Sequence, residues 1–407
     1  MVAQVLVAGG GPAGLAAAVA VARRGLETLL IERYGFLGGM ATAGLVNPFM
    51  MWDPNQGPLV GGIFQETLDR LSAKGGFSCE RQRNAFDPEA FKSVADEMCL
   101  EAGVQVRLHT LFTQAEVEGG RIASITAESK SGRDTCSAAV YIDCTGDADL
   151  AHRAGVPCDI GRQEDGLTQP MTLNFRMAGV DVDRMPARTE INRLYDAAKV
   201  EGRVSCPREN VLLFHAIQPD VVHFNTTRVV GKSGLDARDL TAAEIEARRQ
   251  TQDLVRFLIA DVAGFERSYL QQTAAQIGIR ESRRIRGEYA LTAEDVLSAR
   301  KFPDGIARSC YPIDIHSPSG SGTDIRQVPE GDHYEIPYRC LVPVGVDNLL
   351  VAGRCVSATH EAQASLRVMP QCFAMGEAAG IAAAIAIQRS IPPREVNGEE
   401  LRKAVGL

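Results

Sequence analysis

VLVAGGGPAGLAAAVAVARRGLETLLIERYGFLGGMAT, residues 5–42, is the stretch whose reading decides the fold. Val5 to Ala8 is a short apolar run suited to a buried strand, and Gly9, Gly10, Gly11, Pro12, Ala13 and Gly14 follow it. The Ala-rich segment Leu15 to Ala22 suits a helix, and Thr28 to Ile31 a second strand that ends on Glu32. Each part has a physical task in holding a dinucleotide. Gly9 permits the tight turn, Gly11 lets backbone approach a pyrophosphate, and Gly14 lets the helix pack on the strand. The helix N-terminus offers unpaired N–H groups and a partial positive charge to phosphates. Glu32 follows about 20 residues after the glycines, where a carboxylate accepts from ribose hydroxyls. A carboxylate there also repels a 2′-phosphate, so NADP is disfavoured, while NAD and FAD remain open.

Outward from this unit, a Gly-rich loop runs from Tyr34 to Gly62 and contains Gly38-Gly39, Asn47-Pro48 and Asp53-Pro54. Loops of this length inside a domain usually serve function. The spacing predicts helices over 63–74 and 88–102, the second with Asp87 as cap and Pro88 at its first position. A strand is predicted over 104–108, then a meander over 112–141 turning at Gly119-Gly120 and Ser131-Gly132. The strand Val140 to Cys144 runs into Thr145-Gly146-Asp147. From about residue 156 to 336 the pattern changes to strands near 171–177 and 221–224, a helix over 242–263, and an Arg-dense run over 277–289. Asn348 to Ala352 then reads as another buried strand, and Pro370 opens a long Ala/Gly helix. A sheet begun at the N-terminus and completed near residue 350 implies an insertion. The predicted class is therefore α/β: a Rossmann-like domain built from 1–155 and 337–407, with an inserted α+β substrate (cap) domain over 156–336.

The chain has 407 residues, 45% hydrophobic and 23% charged, with a formal net charge of −8. This fits a globular protein with ample core. No basic block is present, so no nucleic-acid partner is expected. The start lacks the positive n-region of a signal peptide, and no apolar run is long enough to span a bilayer. The Ala-rich stretch 374–387, interrupted by Glu377, reads as a packed helix. Ten cysteines are spread through apolar segments without a CxxC, which reads as reduced thiols in a cytoplasmic protein, with no metal or cluster site.

Three separated pieces share one theme: GGGPAG with Glu32 and Gly38-Gly39, DCTGDAD at 143–149, and NLLVAGR at 348–354. Together they resemble the glutathione-reductase-type FAD fold, within the FAD-dependent oxidoreductases related to the fumarate reductase flavoprotein class. IGIRESRRIRGEYALT (277–292), YPIDIH (311–316), IPYRCLVP (336–343) and SATHEAQASLRVMPQCFAMGEAAG (357–380) resemble a bacterial subgroup of that class. The resemblance implies FAD as cofactor. It implies Glu32 at the adenosine ribose, Arg33 over the adenine or its phosphates, and Gly38, Gly39, Met40, Ala41 and Thr42 along the pyrophosphate and ribityl chain. Phe112 or a neighbour is implied at the adenine, and Thr145, Gly146 and Asp147 where the chain passes back over the cofactor. Gly353 is implied at the pyrophosphate, and the helix N-terminus at Met369 and Pro370 at the flavin pyrimidine edge. Many relatives carry an acid where this chain has Arg354. A cation suits pyrophosphate oxygens, the alternative being a pair with a surface acid.

Flavin carries the redox chemistry, and the protein orients substrate and handles protons. His316, at a predicted strand end, suits a general base near neutral pKa. His360 is expected close to the flavin ring. If 277–289 is helical, Arg280, Arg283 and Arg284 share a face. Such a fork binds carboxylate or phosphate, and a salt-bridge network between cap and FAD domain is the alternative. Tyr338 and Arg367 are further candidates. The leading function is a dehydrogenase or oxidase passing hydride from a small organic substrate to flavin. Its external electron acceptor would be oxygen, a quinone or a redox protein. The alternatives are a flavin monooxygenase, a double-bond reductase, or a flavoprotein electron-transfer subunit. A homo-oligomer is compatible with all of these.

Overall fold

The computed structural model describes residues 1–50, 59–78 and 84–407; the Asp53-Pro54 turn and Cys79 lie outside the described residues. Its organising element is a parallel sheet whose central stretches, residues 5–8, Thr28–Ile31 and Leu349–Val351, are buried and almost wholly apolar, as burial on both faces requires, while the edge strand Gln105–Arg107 is largely polar and exposed. The strand Val2–Ala8 pairs in parallel with Thr28–Ile31, Val5 opposite Thr28, and Thr28–Ile31 pairs with Gln105–Arg107. On its other side, Val2–Ala8 pairs with the C-terminal half of Gly132–Asp143, and Leu349–Val351 closes the sheet beyond it. The N-terminal half of Gly132–Asp143 instead turns antiparallel to Arg121–Ser129, which pairs with Leu111–Glu118. These meander strands alternate exposed and buried residues because only one face is covered.

Helix Pro12–Ala22 packs on helix Met369–Arg389, and small residues set the distance. A Cβ on Gly376 would lie 2.0 Å from the Ala13 carbonyl oxygen, and one on Gly380 2.5 Å from that of Ala17. The Ala/Gly composition of both helices is thereby explained. Met369–Arg389 is, among the described helices, the one long and apolar enough to cross a membrane, but 78% of its most apolar window is buried inside the fold. Its Glu377 accepts from the Ile63 N–H at 3.0 Å at the start of helix Gly62–Ala73, and burial raises its carboxyl pKa. Helix Pro88–Ala102 has the predicted limits, with the Asp87 side chain accepting from the Glu89 N–H.

Between Asp143 and Leu349 the chain builds a separate antiparallel sheet, in the order Leu213–His215, Val222–Phe224, Phe175–Ala178 and Tyr269–Thr273. Helices Arg188–Val200 and Ala237–Asp261 supply residues to its core, where Phe175 stacks on Phe224 and Tyr195 meets Phe257 edge-on. The strand predicted over 171–177 is ordered only from Phe175; Met171 and Thr172 make single bridges to Val229 and Gly278. The Arg-dense run is not helical. Arg283–Ile285 pairs antiparallel with Cys158–Ile160, so the shared helical face of Arg280, Arg283 and Arg284 does not exist. Among the described residues no disulfide forms, and seven of the nine cysteines are buried.

Candidate active site

The glycine turn forms because its backbone is pressed against neighbouring strands. Gly9 has φ +97°, and a Cβ there would lie 2.5 Å from the Cys144 carbonyl oxygen. A Cβ on Gly14 would lie 1.7 Å from the Gly9 oxygen, so Gly14 serves packing and does not line the groove. Gly39 sits on Gly11, where its Cβ would meet the Gly11 Cα at 2.7 Å. Two loops thus share a surface of bare backbone, the shape a pyrophosphate needs. The elongated groove above it, about 730 Å³, is lined by Gly9, Gly11, Pro12, Ala13, Glu32, Arg33, Gly39, Met40, Thr145 to Asp147, Gly353, Arg354 and Met369. Phe112 lines the adjoining recess with Glu32, Arg33 and Thr145.

Three predicted residues shape the loop without lining the groove. Gly38 donates its N–H to the Gly10 oxygen at 2.8 Å, Ala41 is in the core, and the Thr42 hydroxyl donates to the Leu37 oxygen at 2.8 Å. Glu32 is buried; its Oε2 accepts from the Gly10 N–H at 2.7 Å and its Oε1 from the Tyr34 N–H at 2.9 Å. Arg33 stacks on Tyr34 and donates to the Gln276 Oε1 at 2.6 Å, bridging the groove to the inserted segment. Arg354 pairs with Asp147 and donates to the Ile279 carbonyl oxygen. Its partner is an acid of the groove itself, at 8% side-chain exposure, not a surface acid.

Sequence reading passed over Asp143, which holds the returning turn in shape. One carboxylate oxygen accepts from the Thr145 N–H at 3.0 Å and the Thr145 hydroxyl at 2.7 Å, and the other from the Ala151 N–H at 2.8 Å. Burial pushes its pKa up to about 6 despite these donors. A lone acid at the end of an apolar strand was the available signal.

Comparison with known proteins decides the cofactor. The sequence profile of the family described as FAD dependent oxidoreductase matches residues 4–405. The chain belongs to this family. FAD is its cofactor, and the bare-backbone groove with an acid at one end and a helix N-terminus at the other fits it. A digeranylgeranylglycerophospholipid reductase of Methanocella arvoryzae is 30% identical over 159 residues, which span 35% of this chain and 39% of that relative. A geranylgeranyl bacteriochlorophyll reductase-like protein from Thermoplasma acidophilum has a similar fold. Its TM-score is 0.54 at 13% identity, over 99% of this chain and 83% of that one. A p-nitrophenol 4-monooxygenase from Pseudomonas putida aligns with TM-score 0.52 at 11% identity, over 100% of this chain and 86% of that one. At such identities the likeness concerns the fold alone.

Beyond Met40, Arg354, Arg367 and Met369, which the two spaces share, the FAD groove of this flavoprotein continues into a second cavity. Its lining is apolar at Val46, Pro48, Met50, Ile279 and Val368 and polar at Thr172, Asn174, Asn225, Arg280 and Arg367. Arg280 is 9% exposed and donates to the Pro170 oxygen at 2.8 Å, the Thr172 hydroxyl at 2.6 Å and the Asn225 Oδ1 at 3.1 Å. Arg367 reaches the Gln169 Oε1 at 3.4 Å and the Asp314 carbonyl oxygen at 3.3 Å.

The remaining candidates stand elsewhere. His316 ends the strand Ile313–His316 as predicted, but in a layer behind the cavity lining. Its Nδ1 accepts from Arg228 at 3.1 Å, which leaves the proton on Nε2, 3.7 Å from Asp314. Burial first, and then the charges of Arg280, Arg367, Arg208 and Arg228, push its pKa well below the usual histidine value. This direction is opposite to that of the near-neutral base expected for His316. His360 donates from Nδ1 to Glu281 at 2.8 Å within a buried cluster that includes Arg284, and it lines neither space. Arg283 pairs with Asp149 at 2.9 Å, tying the inserted segment to the FAD domain as in the network alternative. The buried Tyr338 hydroxyl donates to the Pro393 oxygen at 2.7 Å, which is a packing role.

Proposed function

We propose that the chain is a dehydrogenase or oxidase that passes hydride from a small organic substrate, bound in the second cavity, to FAD. The observation carrying this reading is the continuity of the two spaces at Met40, Arg354, Arg367 and Met369. The cofactor groove ends where a partly open cavity of mixed apolar and polar lining begins, as orienting a small molecule requires. Bound FAD supplies a two-electron acceptor. The substrate loses a hydride from carbon and a proton from the adjacent O–H, N–H or C–H group, so a C=O, C=N or C=C bond forms. An external oxidant, such as oxygen, a quinone or a redox protein, then takes the electrons.

The protein's own contributions are electrostatic and positional. Helix Met369–Arg389 starts at the junction of the two spaces, and its N-terminus favours the negative charge that accompanies reduction. Met40 and Met369 provide apolar surface there, while Arg280 and Asn225 form one hydrogen-bonded unit in the cavity lining. The test is anaerobic mixing of holoprotein with alcohols, amines and acids, followed by readmission of oxygen. Bleaching of the flavin absorbance by one substrate class without NAD(P)H is the expected result. Bleaching by NAD(P)H alone overturns the reading.

A further inference from the structure

The guanidiniums of this fold divide into two groups. Several guanidiniums meet a carboxylate: Arg284 meets Glu281, Arg354 meets Asp147, and Arg228 meets Glu209 at 3.0 Å. Of the three that line the second cavity, Arg354 is thus paired, whereas Arg280 and Arg367 meet no carboxylate among the described residues. All of their partners are neutral: carbonyl oxygens, a hydroxyl and side-chain amides. The Arg367 Nε is buried with no hydrogen-bond partner. Arg208, 4% exposed, stands close enough to act on Arg280 electrostatically, and its Nη1 is also unsatisfied. Among the described residues the acids facing this group are Asp314 and Glu209, and Glu209 is already engaged by Arg228. Burying cations without counter-charge is costly. An excess of positive charge is therefore concentrated around a chamber that opens onto the flavin site.

A second orphan group lies in the same chamber. Asn174 is 2% exposed; its Nδ2 donates to the Gly44 oxygen at 2.7 Å, and its Oδ1 is buried with no donor. Asn174 lines the cavity together with Arg280 and Arg367. An unpaired buried acceptor calls for a donor as an unpaired buried cation calls for an anion.

We infer that the chamber takes a small organic acid, its carboxylate held by Arg280 and Arg367 and a hydroxyl or amino group of the same molecule donating to the Asn174 Oδ1. This inference rests on the reading of the second cavity as the substrate site. A carboxylate accepts from two guanidiniums at once and neutralises charge the fold leaves open. A donor group on the same small molecule would bind it in a single orientation, which is what hydride transfer to a fixed ring needs.

The test titrates holoprotein with acetate, glycolate, acetamide and inorganic phosphate and follows the visible difference spectrum of the bound flavin, a readout that needs no turnover. Glycolate should bind tighter than acetate, and both tighter than acetamide. Arg367→Met should weaken both acids by about tenfold or more, the loss expected for a charge-assisted contact, with acetamide affected far less. The long contacts of Arg367 make this variant the one least able to harm folding, and its melting temperature should not fall. Asn174→Ala should erase the preference for glycolate over acetate. Equal weakening of acid and amide, binding of phosphate alone, or no perturbation by any acid overturns the inference. If acids bind as described but no compound class bleaches the flavin, the proposed function fails and the anion site stands. If neutral compounds bleach it while acids do not bind, the anion site fails and the proposed function stands.

Discussion

Replacing Glu32 with Ala separates a cofactor ligand from a loop clasp. The carboxylate accepts two backbone N–H groups, from Gly10 at 2.7 Å and Tyr34 at 2.9 Å, and is only 5% exposed. Ala leaves the buried Gly10 N–H without a partner, which costs about 1–3 kcal/mol of folding stability. That is a fraction of the 5–15 kcal/mol typical of a domain, so the fold survives. An ionised acceptor also lost to the cofactor ribose is worth about 1.5–3 kcal/mol. The FAD dissociation constant should therefore rise about 10- to 150-fold. Glu32→Gln keeps one acceptor oxygen and should fall between. The assay is titration of apoprotein with FAD, followed by quenching of flavin fluorescence, with thermal melts of each apoprotein in parallel. A Glu32→Ala protein that melts earlier but holds FAD within about threefold of wild type refutes the ribose placement and makes Glu32 a clasp for the glycine turn.

Further outcomes follow from the same geometry. Gly14→Ala and Gly376→Ala each drive a methyl into helix or turn backbone, at 1.7 and 2.0 Å from a carbonyl oxygen. Each should cost about 3 kcal/mol, read as a drop in the urea midpoint of holoprotein. Asp147→Asn leaves Arg354 buried without its acid and should destabilise by about 3–5 kcal/mol; Asp147→Asn with Arg354→Met should recover most of this in a double-mutant cycle. His223 is buried with its pKa pushed down to about 3, by burial first and then by Arg176, and that of His316 is also held well below the usual value. For both, the unfolded chain binds the extra proton. Stability is therefore complete above about pH 6.5 and falls below it by about 1.4 kcal/mol per pH unit for each histidine. His316→Gln should remove one such contribution, visible as a shallower loss of unfolding free energy between about pH 6 and pH 5; an unchanged slope refutes the assignment.

Local patterns carried the reading of the cofactor half. The turn from Gly9 to Gly14, the acid at Glu32 and the apolar strands at 5–8, 28–31 and 349–351 are each legible within a few residues. Their spacing reflects backbone geometry that any dinucleotide imposes. Gly353 and the Ala/Gly helix after Met369 were legible for the same reason, since close backbone approach demands small residues. The Arg-dense run was misread as potentially helical because its strand pairing is with Cys158–Ile160, a partner far away in the chain.

The second cavity belongs to tertiary structure alone. Thr172 with Asn174, Asn225, Arg280 and Arg367 come from four separate segments, three of them loops and one a helix end, and no spacing rule links those segments. Whether an arginine is neutralised depends on which carboxylate the fold brings near. Thus Arg283 and Arg284, adjacent to the cavity residue Arg280 in sequence, are spent on Asp149 and Glu281, while Arg280 and Arg367 stay open. The same holds for His316, whose position at a strand end was readable but whose protonation state was not. Burial first, and then four guanidiniums from distant segments, lower its pKa, because desolvation and charge act through space and the sequence records only order along the chain.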